Sequence, residues 1–238
     1  MTMEIIQSGI SAYSEKEQVA GDFYAHLTEK EFPCIAAHEA ASKETLHCMV
    51  ADHMACPKDD HAIISFLYDF VDEFRSKTSG YHSAAIIFLG PGDADESNFE
   101  KLFWQRLQAL SDIDAVKYNY DPRVSSDITS PNFSYSLKSE AFYIVGLHPA
   151  SSRKSRQYKL PVMVFNPHAQ FERLRDEDHY RKMQNIVRKR DLSYSGSINP
   201  MLADFGDSSE VFQYSGRKYD KDWACPFKPK HADYHTSA

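Results

Sequence analysis

Two stretches of the chain carry apolar residues every three or four positions, the spacing that lays them along one helix face. In the first, Ile63, Ile64, Phe66, Leu67, Phe70, Val71 and Phe74 form a wide stripe behind Asp59 and Asp60, which can cap it. In the second, Phe99, Leu102, Phe103, Leu107 and Leu110 follow Ser97 and Glu100, a capping-box spacing. Ser14 and Glu17 repeat that spacing and predict a helix running to about Glu29. Asn166 and Pro167 predict another, with Asn as N-cap and Pro as first helical residue. It carries Phe171, Leu174, Met183, Ile186 and Val187 and ends near Arg190.

Short apolar runs predict the strands. Residues 84–89 are continuously apolar between Ser83 and Gly90-Pro91-Gly92, which reads as a buried strand and a turn. Residues 141–147 and 161–165 are rich in aromatic and β-branched side chains, and 45–51 forms a further strand. Phe32-Pro33-Cys34 reads as a turn into a short buried strand ending at Ala37. Residues 118–135, broken by Pro122 and Pro131, form a long loop, and 149–159 a Ser- and Arg-rich connection. Periodicity fades after Leu192, and no repeat or linker interrupts the chain. The pattern fits one α+β domain over residues 1–238, with a mixed central β-sheet flanked by helices and a core from about 15 to 227.

Composition narrows the function classes. Hydrophobic residues make up 42% of the chain and charged ones 26%, as in ordinary globular domains. The net charge of −7 lacks the basic footprint of a nucleic-acid binder. No apolar run approaches the roughly 20 residues of a membrane helix. The first six residues show no basic region followed by an apolar stretch, so no secretory leader is expected and the protein reads as cytoplasmic. Its four cysteines are then expected to stay reduced. Aromatic residues reach 13% and cluster after residue 99, which suits a dense core or a pocket for a large planar ligand.

Dinucleotide, P-loop, HExxH and GxSxG signatures are all absent. His47, Cys48, His53 and Cys56 supply zinc-type ligands, but their spacing matches no common zinc knuckle. His168 falls in the first turn of a predicted helix, where the helix dipole favours the neutral, metal-binding imidazole. His148 ends a predicted strand ahead of Pro149 and is placed to face a pocket. Ser151–Arg156 is a basic, hydroxyl-rich stretch in which Arg153 and Arg156 can clamp an anion, with Ser152 adding a donor. A histidine on a helix start, an aromatic wall and two arginines together suit haem. Cys34 is the alternative iron ligand.

Six segments appear in order along the chain: FPC at 32–34, GLHP at 146–149, SSR at 151–153, VFNPHAQFE at 164–172, NPML at 199–202 and QYSGR at 213–217. Together they resemble the YqcI/YcgG family over residues 15–227, and within it the haem-dependent pre-guanitoxin N-hydroxylase type. The resemblance implies a haem b protein that uses dioxygen or peroxide to hydroxylate a guanidine-type nitrogen of an arginine-like small molecule. His168, in the longest matching segment, is carried over as the iron ligand, and His148 is the catalytic candidate. Arg153 and Arg156, with Ser152, are assigned to the propionates. Asp204 and Glu210 are the candidate carboxylates for a guanidinium substrate. An external electron donor is expected on the dioxygen route, because no flavin or nicotinamide motif is present. Neither nucleic acid nor membrane is an expected partner, and a homodimer is left open. A haem-binding sensor or carrier without hydroxylase activity is the alternative reading, and a haem-free protein the third.

Overall fold

The computed structural model of the 238-residue chain describes residues 2–77, 79–176, 180–201, 204–220 and 222–231, with side chains inside those ranges except 2–14 and 174–182. Leu202, His235 and the side chain of Leu174 lie outside the described residues. Five strands form one sheet: β1 (Leu46–His53), β2 (Ser83–Gly90), β3 (Tyr135–Leu137), β4 (Glu140–Leu147) and β5 (Val162–Pro167). Their order is β1-β2-β5-β4-β3, with β1 and β2 parallel and every other pair antiparallel. The sheet is therefore mixed and the fold is α+β.

Alternation along the strands divides the core in two. Ile86 and Phe88 of β2, Phe142 and Ile144 of β4, and Met163 and Phe165 of β5 join one cluster. It is closed by α3 (Asp60–Ser76) and α4 (Glu96–Asp114), whose buried stripes carry Ile63, Leu67, Phe70, Phe99, Phe103 and Leu107. The intervening residues Ala85, Ile87, Val145, Leu147, Val162 and Val164 belong to a second cluster on the other face. There they meet Phe23 and Leu27 of α1 (Thr2–Leu27) and Ala37 and Ala40 of α2 (Ile35–Ser42).

Several expectations are corrected. Helix α1 begins at Thr2, so Ser14 lies within it rather than capping it. No proline interrupts residues 2–27. The segment expected to be a strand after Pro33 is helix α2, because an alanine-rich run has high helix propensity and Cys34 caps it. The cap of α4 is Asp95, which accepts from the Asn98 amide at 2.7 Å, not Ser97. Asp59 stands at the N-cap of α3 as expected, but its side chain accepts from the Asp52 amide and makes no cap bond to the helix. Strand β5 continues through Pro167, which pairs with Phe142, so the next helix starts at His168. The expected long helix is two: α5 (His168–Asp176) and α6 (Tyr180–Ser195). The short helix α7 (Val211–Tyr214) sits in the segment without periodicity. No helix is long and apolar enough to cross a membrane, among the described residues. The described residues hold no group of three or more His, Cys, Asp or Glu placed to hold a metal ion.

Candidate functional site

A cavity of about 290 Å³ lies between the second face of the sheet and α2, α5 and α6. Its volume is at the lower edge of the ~300–1,000 Å³ range of small-molecule sites. Leu46, Val145, Leu147 and Val164 give it an apolar floor, and Phe32 and Ala37 close one side. Six of the eight sequence-nominated residues line it: Cys34, Arg153, Arg156, His168, Asp204 and Glu210.

Cys34 has extended backbone geometry, and its Sγ accepts from the Ala37 amide at 3.5 Å at the start of α2. Burial pushes the thiol up, while the Ala37 and Ala36 amides and the charges of Arg156 and Arg190 oppose it. His168 is buried at the start of α5, with its Nδ1 3.7 Å from Glu172 Oε1 and its Nε2 3.7 Å from Glu210 Oε1. Its ring lies against Phe205, with centroids 4.3 Å apart. Glu210, just before α7, is buried too; its Oε2 accepts from Ser134 Oγ at 2.9 Å and from the Tyr214 hydroxyl at 2.8 Å. Burial and this carboxylate push the Tyr214 phenol well up, so it stays a donor. Arg153 pairs with Asp191, and Asp204 accepts from Gln184 and Arg188. Arg156 donates to the carbonyls of Gly146, Gln213 and Tyr214.

Two nominated residues lie elsewhere. His148 follows β4 with the parity of Gly146, so it points to the α4 side of the sheet. There it stacks on Phe99, with centroids 4.2 Å apart. Neither ring nitrogen has a hydrogen-bond partner among the described residues, and burial pushes the imidazole down to about 4. The expectation that His148 faces the pocket is corrected accordingly. Ser152 donates its amide and hydroxyl to Glu96 at 2.9 and 2.8 Å, tying the 149–159 connection to the start of α4.

A model of the YqcI/YcgG family matches residues 23–228. The chain belongs to this family. No curated protein and no solved structure matches it. The YqcI/YcgG match takes in every residue of the cavity wall and leaves out most of α1. Within it, the QYSGR segment has a structural logic. Gln213 lines the cavity and Tyr214 anchors Glu210. Ser215 bonds the Tyr219 hydroxyl at 2.6 Å. Gly216 has φ +85° and lies so close to Arg156 that a Cβ would approach its Cγ to 3.0 Å.

Sequence reading missed the α6 side of this YqcI/YcgG cavity. Met183, Gln184, Val187, Arg188 and Asp191 all line it. Their spacings of one, three and four residues mark a single helix face, a signal present in the sequence. Counting only the apolar positions hid the three polar members.

Proposed function

We propose that this YqcI/YcgG protein is a haem-dependent N-hydroxylase of the pre-guanitoxin N-hydroxylase type, acting on a guanidine-type nitrogen of an arginine-like small molecule. The observation that carries the reading is the gathering, in one cavity and from four separate chain segments, of Cys34 and His168, which can ligate iron, with Arg153, Arg156, Asp204 and Glu210. These residues fit haem on their chemistry: a buried imidazole or a half-buried thiol for iron, apolar walls for the macrocycle and guanidinium groups for its acidic side chains. When bound, haem b supplies the activation of dioxygen or peroxide, with an external electron donor on the dioxygen route.

The chain supplies position, polarity and exclusion of water. His168 holds the iron. Glu172 lies near its Nδ1, and such a partner orients an imidazole and raises its basicity. Glu210 receives the guanidinium, since two hydroxyls fix one of its oxygens and burial strengthens any charge pairing it makes. Asp204, already engaged by Arg188 and Gln184, contributes less. A second reading gives the iron to Cys34, a cavity-wall thiol at the start of α2 that burial pushes up and that binding to iron would deprotonate. His168 and Glu210 then hold or move a proton beside the substrate. His148 has no part in either reading.

The test is the visible spectrum of haem-supplemented protein, ferric and then ferrous with carbon monoxide, for the wild type, His168→Ala and Cys34→Ala. A histidine-type carbonyl complex lost only in His168→Ala supports the first reading, and a thiolate-type band lost only in Cys34→Ala the second. No Soret band in the wild type ends both. A haem-loaded protein that, with reductant and dioxygen or with peroxide, never converts arginine or cyclic guanidino amino acids to N-hydroxylated product is a sensor or carrier instead.

A further inference from the structure

Three arginines line the cavity among the described residues, and they differ in how their charge is met. Arg153 is paired with Asp191 and also donates to Ser197. Arg188 is paired with Asp204 at 3.3 Å. Arg156 has no carboxylate among the described residues. Its guanidinium reaches only backbone carbonyls, those of Gly146 at 3.3 Å, Gln213 at 3.2 Å and Tyr214 at 3.5 Å. Yet the residue is only 8% exposed. Carbonyl dipoles solvate a buried cation but leave its full positive charge in place, and such a charge is costly without an opposite one.

The chain nonetheless builds a slot for this side chain. Gly216 brings its backbone against the Arg156 stem, and its φ of +85° disfavours other residues there. A buried guanidinium on a cavity wall is matched by a planar anion with two acceptor oxygens. We propose that Arg156 is the anion-recognising residue of this cavity and that a carboxylate of the bound ligand completes its charge balance. Arg153, already met by Asp191, has less charge to offer an anion.

This deepens the hydroxylase reading and rests on it only for the ligand, whose carboxylate belongs either to the guanidino substrate or to the haem side chains. The test measures binding to the full chain, before and after haem loading. One arm compares L-arginine with agmatine, which is arginine without its carboxylate, by calorimetry. The other compares haem b with its dimethyl ester by absorbance. The carboxylate-bearing member of one pair is expected to bind about 30-fold tighter, a buried-charge effect. That ratio falls towards one in Arg156→Gln and is partly kept in Arg156→Lys. Because each ratio compares two ligands on one variant, a loss of folded protein does not move it. If Arg156→Gln does not fold, a several-fold drop in the Arg156→Lys ratio carries the test.

Discrimination in the arginine pair assigns the carboxylate to the substrate, and in the haem pair to the propionates. A wild type that treats both pairs alike overturns the proposal, as does a ratio that survives Arg156→Gln or falls only in Arg153→Gln. A chain that never binds haem ends the hydroxylase reading, while the arginine pair still decides Arg156. A turning-over haem protein with both ratios near one overturns Arg156 alone.

Discussion

The two faces of the sheet are built from alternate residues of the same strands, yet one is filled and the other hollow. Towards α3 and α4 the strands present Phe88, Phe142, Ile144 and Phe165, and the helices answer with Phe70, Phe99, Phe103 and Trp104. Gly146 marks how tight this side is, since a Cβ there would lie 3.1 Å from both Phe99 and Phe103. Towards α2 and α6 the strands present valines and Leu147, and α2 answers with Ala36 and Ala37. Small side chains opposite a flat apolar floor leave the cavity, and the charged groups collect around it. The contrast teaches that charge alone does not mark a functional site here. The ion pair of Arg106 with Asp60, on the filled side, is as buried as any charge in the cavity wall, but both partners saturate each other. On the hollow side Arg156 is left with carbonyls.

Truncating a large residue on each face gives the widest separation. Phe103→Ala is expected to cost about 3–5 kcal/mol, because the filled side cannot collapse around the void. Val164→Ala, on the cavity floor, is expected to cost about 1 kcal/mol, since it enlarges a space already present. Urea titrations of both variants measure the gap, and equal losses would break the comparison. Adjacent residues of β4 sharpen it next. Gly146→Ala forces a methyl against two phenyl rings and is expected to cost roughly 1–3 kcal/mol. Val145→Leu adds volume to the cavity side, and its melting temperature is expected to stay within a few degrees of wild type.

A pH slope probes the filled side without truncating it. His148 is held at about 4 by burial, below the roughly 6.5 of a free imidazole. The unfolded chain therefore takes up the proton first as pH falls. This residue's contribution is full above about pH 6.5 and is lost towards pH 4, by at most ~1.4 kcal/mol per pH unit. His148→Phe keeps an aromatic ring against Phe99 and is expected to flatten that part of the stability profile. An unchanged slope in denaturant titrations between pH 4.5 and 7 would count against a buried neutral His148.

Local patterns carried much of the architecture. The stripes of α3 and α4, the apolar runs of β1, β2, β4 and β5, and the fold class all follow from spacing, because burial on one face demands it. The residues Cys34, Arg153, Arg156, His168, Asp204 and Glu210 could be nominated from chemistry and from likeness to a family. Strand parity was legible too, since Gly146 and His148 share one side of β4, but parity does not say which side is hollow. That depends on which helices cover each face and on the size of their side chains. Only the tertiary structure decided that β4 turns His148 into the filled side, that Asp191 on α6 neutralises Arg153, and that Arg156 meets carbonyls alone among the described residues. The physical reason is one of range: periodicity and capping act within a few residues, whereas charge pairing and cavity shape also join distant ones, as Arg153 and Asp191, 38 positions apart, show.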